Sequence, residues 1–569
     1  MTDRFSEVTA ATAVEDHTAV SRPMKLAAGP APLPELRTMS HRARAKLEST
    51  LVFVTAFAVN LAAARYLVDN LHFVSVDGLA GVANAFFVLF SRDPHLAAIG
   101  LVLSPLPSFL ELPIVALKGW APWLVTGAFA ASIETAAFGA GGAVIVGLLV
   151  RDAGLRLPLR LAMVAAWIAN PMLIFYSANG MSDIELMFFI LLEGLLLLRW
   201  LRAPRDSLLV ALGAVVATST LVRYEAWAFS VLILVPLVVA QRRWSTPWRQ
   251  IEARVLLYGL PVAFAILFWI GANAVIMHDP FDFLTNVYGN LSQTRAIGSR
   301  PEGWLGAATS VFNEVLQLYP AYLCCLAVSL WMAMRRRQLR LGFSLVLLTT
   351  AALLIMGYLA HKGSLDYLLR YFMSAIAGSF VLAGYSLGLV RGGRAKVVVG
   401  SLLAMAMAGS CVASFEAMNN LTLGGPGMEH AVVTAALSGQ PVTNDSFAGR
   451  TQQEIGLGRA IDRLDPDRRL ILVDSFLGFP IVVSSPDPRL FVVTSDKDFE
   501  AALNDPAAYH VGYFLVPTPS AEGSLDAINR RYPNFWRTGD GFARLKAQLS
   551  HGSTSYEWRL YRISGRAPQ

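Results

Sequence analysis

The chain alternates long apolar runs with short polar linkers. About 20 apolar residues cross a bilayer. About eleven stretches meet that measure, at roughly 51–69, 124–150, 161–177, 184–199, 207–222, 225–240, 255–276, 307–333, 341–360, 371–390 and 396–415. One more apolar stretch, "PLPSFLELPIVAL" at 105–117, is short and flanked by proline, which predicts a helix lying beside the membrane. After residue 416 the pattern changes. "RLILVDS", "PIVVSS", "LFVVTS" and "VGYFLVP" have the β-branched content of short strands, with "EWRLYRI" as a closing strand. "TQQEIGLGRAIDRL" and "SLDAINRRY" have helical spacing. The expected architecture is therefore a polytopic α-helical membrane protein with a small extracytoplasmic α/β domain at its C-terminus. Residues 1–50 are expected to be a disordered tail, 51–415 the membrane domain and 416–569 the α/β domain. No repeat of fixed period is present.

Composition agrees. Of 569 residues, 55% are hydrophobic and only 15% charged, with a mean hydropathy of +0.49; soluble domains carry about 25% charged residues. The net charge of +7 resides in short runs between apolar segments, the pattern of topology signals and not of a nucleic-acid face. Alternate linkers hold "RDAGLRLPLR", "RWLRAPR", "QRRWSTPWRQ", "RRRQLR" and "RGGRAK". Because basic linkers stay in the cytoplasm, the N-terminus is expected inside and the α/β domain outside a cell membrane crossed many times. The first apolar run, starting at Leu51, lies too deep for a secretory signal and is expected to be an uncleaved helix. Cys324, Cys325 and Cys411 all fall in apolar runs, so the α/β domain has no disulfide framework.

On this topology the conspicuous polar residues collect on one side. Asp77, Arg92, Asp93 and His95 lie in the first outer loop. Asn179, Ser182, Asp183 and Glu185 lie at the next outer turn, and Arg223, Tyr224 and Glu225 at the turn after it. His278, Asp279 and Asp282 follow, then Asp366, Arg370 and Tyr371. Ionisable groups at membrane depth are costly and face a cavity or one another, so a common polar cavity is expected at the outer leaflet. Plainer readings exist: helix capping for Asp183, headgroup anchoring for Arg370, self-pairing for Arg223 and Glu225, and ordinary loop solvation for His278, Asp279 and Asp282. Glu134 and Glu193, within apolar runs, fit none of these groups.

The chain has no "GxxxxGK[ST]", no "GxGxxG" after a strand, no "HExxH" and no paired cysteine spacing. Such a cavity, without a nucleotide site, suits a substrate that brings its own activation, such as a sugar on a polyprenyl phosphate. Cleavage then needs a cation for the phosphate and a carboxylate for the acceptor's proton.

Five features resemble the GT-C superfamily of polyprenyl-phosphate-sugar glycosyltransferases, near the protein O-mannosyltransferase and lipid A aminoarabinose transferase group. They are Asp77 early in the first loop, "RDPHLAAIGLVLSPLPSFLELP" leading to a juxtamembrane helix, "NGMSDIEL", "TLVRYEA" and "LRYFM". The resemblance covers roughly residues 51–390. It implies an inverting hexosyl- or pentosyltransferase acting on an extracytoplasmic glycan, lipid or protein. Asp77 would be the catalytic base, and Arg223 and Arg370 would hold the lipid phosphate. Asp183, Glu185, Arg92, His95, Tyr224 and Glu225 would shape the substrate pocket. Relatives carry a second acid beside the first, where this chain has Gly78; Asp93 is therefore the other candidate for base or for ligand to a divalent metal. The rival readings are a transporter or flippase of a lipid-linked glycan, which needs discontinuous helices, and an enzyme-derived scaffold.

Overall fold

The computed structural model describes residues 41–289, 292–293, 301–365, 368–420, 427–443, 449–461, 463, 469–549 and 557–567. Asp366 and residues 1–40 lie outside the described residues, while 41–50, expected within the disordered tail, begin the helix His41–Arg65. The chain divides into a short unit, Met1–Glu48, and a large one, Ser49–Gln569. In the short unit the described residues are the opening turns of helix His41–Arg65.

Among the described residues six helices of the membrane region are long and apolar enough to cross a bilayer, and nine spans result if each of three bent helix pairs counts as one. The bends have local causes. Leu157–Ile168 and Pro171–Ala178 meet at 58°, where Asn170 caps the second helix by accepting from Leu173 N (3.1 Å) and Pro171 cannot continue the first. Leu339–Thr349 and Ala351–Lys362 meet at 54°. The stretch 307–333, expected as one span, is two helices, Trp304–Leu318 and Ala321–Arg335, which meet at 103° across Pro320.

Two further helices, of 20 and 14 residues, pack along these spans. Asp183–Arg202 packs along Phe129–Asp152, and Arg199 Nε meets Asp152 Oδ2 at 2.7 Å near the C-terminal end of both. Asp206–Ser219 returns along Trp248–Ile276, with Asp206 Oδ1 3.1 Å from Arg254 Nε. Between them Ser219 Oγ donates to Glu193 Oε1 (2.7 Å), which gives one of the unplaced glutamates a helix-pairing role. Glu134 is buried, and neither of its carboxylate oxygens has a partner among the described residues.

The loop after the first span is itself structured. A helix is present where one was expected over 105–117, as Leu106–Val115. Preceding it is an unforeseen helix, Val76–Phe90. Ser75 Oγ caps this helix by accepting from Gly78 N (3.3 Å), and Asp77 lies in its first turn, where the helix dipole favours an anion. Its apolar residues Leu79, Val82, Ala83, Phe86 and Phe87 recur at helical spacing and share one core with the C-terminal α/β region.

That region is a five-stranded sheet, β1 Leu470–Val473, β2 Phe491–Val492, β3 Val511–Pro517, β4 Ala543–Leu549 and β5 Trp558–Ile563, in the order β2-β1-β3-β5-β4. β1 is parallel to β2 and β3, while β5 is antiparallel to β3 and β4. Alternate residues serve opposite faces. Ile471, Val473, Tyr513 and Leu515 join the core shared with the first-loop helix, and Leu472, Phe514 and Val516 join a second core with Ile528, Phe535 and Phe542. One expectation is corrected: "PIVVSS" is the end of a helix, Ser475–Ser484. Asp474 caps this helix by accepting from Phe476 N (2.8 Å). The β-branched run is buried all round against the shared core, and burial overrides its strand propensity.

Candidate active site

The polar groups expected to converge do so in part. Arg370 opens the helical stretch Leu369–Leu389, and its Nη1 lies 2.5 Å from Asp77 Oδ2, joining positions 293 residues apart. The same nitrogen faces Met181 Sδ at 3.9 Å, and the guanidinium lies 5.2 Å from the Tyr371 ring centroid. Beside this pair, Arg223 Nη1 meets Asp183 Oδ1 at 3.0 Å, and its Nη2 donates to Glu225 Oε1 at 2.9 Å. Asp183, Arg223, Glu225, Arg370, Tyr371 and Ser374 line a narrow cleft, with Leu186, Met187, Ala352 and Met356 as its apolar wall. Asp77 stands at the rim, with its side chain half exposed.

Two of the plainer readings fall short. Ser182 makes no side-chain cap, and Asp183 is buried on Arg223, so Asp183 is more than a helix start. Arg223 and Glu225 do pair with each other, but through a guanidinium that also holds Asp183. Oδ2 of Asp183 and Nε of Arg370 are buried without a partner among the described residues. Buried polar atoms of that kind are costly, and they cluster around this cleft.

Not every candidate reaches it. Arg92 pairs with Asp496 (Nε to Oδ2, 3.1 Å) and Asp498, both in the α/β region. Asp93 accepts from Lys497 N at 3.2 Å, and His95 Nδ1 lies 2.7 Å from the Asp93 carbonyl oxygen. Arg92 and Asp93 dock the first loop against the α/β region, and His95 braces Asp93. Tyr224 stacks on Phe283 (5.1 Å) and donates to Val102 O (3.0 Å). Glu185 is buried behind Asp183, with Oε2 unpaired among the described residues. Asp279 accepts from Phe281 N and Asp282 from Asn286, as loop carboxylates do. Ser374 was missed, although it follows Arg370 at i+4 and therefore shares its helical face.

Gly78, the departure from the family pattern, has a steric cause. A Cβ there would stand 2.5 Å from Asn179 O and 3.2 Å from Gly180, so the loop helix reaches the 179–180 turn only with glycine at this position. A second acid has no room beside Asp77. Among the described residues no group of three or more His, Cys, Asp or Glu side chains is placed to hold a metal ion.

The architecture is shared with solved structures of an integral-membrane fold. Among solved structures, ArnT from Cupriavidus metallidurans bound to undecaprenyl phosphate superposes with a TM-score of 0.54 at 15% identity, covering 92% of this chain and all of that one. ArnT from the same organism in the apo state gives 0.52 at 14% identity, with the same coverage. No family model and no curated protein matches the sequence.

Proposed function

We propose that the protein is a membrane glycosyltransferase that moves a hexosyl or pentosyl unit from a polyprenyl-phosphate donor to an extracytoplasmic acceptor, inverting the anomeric carbon. The observation that carries this reading is the cleft, in which two guanidiniums and three carboxylates from four separate stretches of chain meet at one mouth of a GT-C bundle. A neighbour with this fold binds undecaprenyl phosphate.

The chemistry balances with the groups present. The acceptor oxygen attacks the anomeric carbon, the bond from that carbon to the phosphate oxygen breaks, and its electron pair leaves with the polyprenyl phosphate. The acceptor's proton passes to Asp77. Asp77 pairs with Arg370, and the guanidinium occupies the oxygen that would take the proton. A lipid phosphate offers Arg370 two oxygens in the fork geometry a guanidinium matches. As Arg370 turns to the phosphate, Asp77 is freed to accept a proton at the place where the sugar arrives. Arg223, held between Asp183 and Glu225, supplies the second cation for the charge that grows on the leaving phosphate.

Purified protein in lipid nanodiscs, incubated with a panel of polyprenyl-phosphate sugars, tests the proposal. A donor should lose its sugar and free polyprenyl phosphate should accumulate. Arg370→Ala should weaken donor binding, and Arg370→Lys should restore only part of it, since an ammonium cannot make the two parallel bonds. Full rescue by lysine would reduce Arg370 to a headgroup anchor.

The transporter reading is favoured by one observation, the three bent helix pairs. It requires every sugar-lipid in the panel to stay intact while crossing the bilayer.

A further inference from the structure

The α/β region contains a second polar site that the transfer chemistry leaves unused. The chain leaves β1 for β2 on one side and returns to β3 on the other, so a topological switch point lies between the C-terminal ends of β1 and β3. Open parallel sheets bind ligands at that place. Here it holds Asp474, directly after β1, and Asp526, on the segment after β3; both are fully buried. Asp474 Oδ1 accepts from Phe476 N (2.8 Å), and its Oδ2 accepts from Ala527 N (2.6 Å). Asp526 Oδ1 accepts from Ile528 N and Asn529 N (2.9 and 3.0 Å), while its Oδ2 has no partner among the described residues.

The crevice is filled by a ring from elsewhere in the chain. Tyr288, between the helices Trp248–Ile276 and Trp304–Leu318, stacks on Phe476 with centroids 5.0 Å apart and planes at 28°. Its hydroxyl donates to Asp474 Oδ2 at 2.9 Å and accepts from Arg530 Nη2 at 3.3 Å. An aromatic platform below, with a carboxylate and a guanidinium at the edge, is a recognition set for a hydroxylated six-membered ring. A phenol fills it incompletely, because its one hydroxyl serves Asp474 and Asp526 Oδ2 is left without a partner among the described residues. A vicinal diol would satisfy both. Two buried carboxylates side by side also cost stability, a cost typical of functional sites.

We propose that this crevice is a binding site for a pyranose ring with vicinal hydroxyls, a sugar of a saccharide acceptor, and that Tyr288 is the internal ring such a sugar displaces. Recognition of the acceptor rests on the glycosyltransferase reading; the crevice itself does not.

The test uses the full chain in nanodiscs, with methyl pyranosides of the gluco, manno and galacto configurations as probes and saturation-transfer NMR to obtain dissociation constants. Tyr288→Ala empties the crevice and should bind one of the three at least about tenfold more tightly than wild type, since a hydrogen bond to a carboxylate is worth that much or more. Tyr288→Phe keeps the ring in place and should not gain. Adding Asp526→Asn to Tyr288→Ala should lose the gain while retaining the helix cap through Oδ1. A Tyr288→Ala chain that unfolds at the wild-type temperature, still binds donor at the Arg370 cleft, and binds no pyranoside would overturn the proposal. Loss of donor binding with pyranoside binding intact would instead count against the transferase reading. Wild type supplies a measurement independent of any variant: saturating pyranoside should raise hydrogen exchange in the peptide carrying Tyr288, and unchanged exchange refutes displacement.

Discussion

Asp77 is the proposed base, and its surroundings sharpen what its replacement should do. Asp77→Asn keeps the size and loses the basicity, so turnover should fall by a factor of about 10² or more. Arg370 is at the same time relieved of its carboxylate partner, so donor affinity should hold or rise. Asp93 faces Lys497, and Asp93→Asn should be mild; steady-state kinetics on both variants would exchange the two roles if the order were reversed. A second residue-scale prediction concerns pH. Burial, then the charge of Asp474, holds the Asp526 carboxyl well above the ordinary carboxylate range, and burial raises Asp474 too. A carboxyl whose folded pKa is raised binds its proton more tightly in the folded state. The stability this brings is complete below the unfolded pKa of about 3.9 and is lost as pH rises through the folded value. The α/β region should therefore melt at a lower temperature near neutrality than in mild acid. Asp526→Asn, which keeps the cap and presents an amide to Asp474, should flatten that slope and raise the neutral melting temperature, as a thermal scan across pH would show.

At the scale of elements, the helix Val76–Phe90 carries Asp77 at one end and is clamped at the other, where Arg92 meets Asp496 and Asp498. Its middle is buried in the core shared with the sheet. The α/β region thereby holds the rod on whose tip Asp77, the proposed base, stands. Arg92→Met should release one end of that rod, and since misplacement of a catalytic group by about 1 Å can cost up to about 10² in rate, turnover should drop while the donor dissociation constant stays near wild type. Pairing Arg92→Asp with Asp498→Arg should recover part of the rate; a fall in donor binding equal to the fall in turnover would mean general unfolding and no positioning role. This helix also marks where the sequence stopped being informative. Asp183, Arg223, Glu225 and Arg370 were legible because a charge at the end of an apolar helix is costly unless it faces a cavity or another charge. The loop helix was not, because its apolar face hides in a uniformly apolar run and its packing partner lies nearly 400 residues further on. Without that partner, Arg92, Asp93 and His95 cannot be told from cleft residues. "PIVVSS" failed for the same reason: a segment buried on every side has no period to read.

At the scale of the whole molecule, side-chain contacts constrain how often the chain crosses the membrane. The first loop and the α/β region share a core and three ion pairs, so they occupy one side. One follows the first span and the other follows the last, which requires an even number of crossings between them and an odd total. Six spans fail that condition; nine satisfy it. The ion pairs Arg199–Asp152 and Arg254–Asp206 at one end, with Arg223–Asp183 at the other, run helices Asp183–Arg202 and Asp206–Ser219 from one side to the other and back, so adding both preserves the parity and gives eleven. In that scheme the linkers "RWLRAPR" and "QRRWSTPWRQ" stand with Arg335–Arg337 opposite the cleft, and the retention of basic linkers in the cytoplasm predicts the cleft and the α/β region outside. Single cysteines settle it. In a chain freed of Cys324, Cys325 and Cys411, Arg335→Cys should resist an impermeant maleimide added to intact cells, while Ser520→Cys, exposed on the α/β region, should react. Labelling at 335 and protection at 520 would invert the molecule. Labelling at both would place an even number of crossings between Arg335 and Ser520, where the scheme has three, and would break the account of the helices from Leu339 to Asn419.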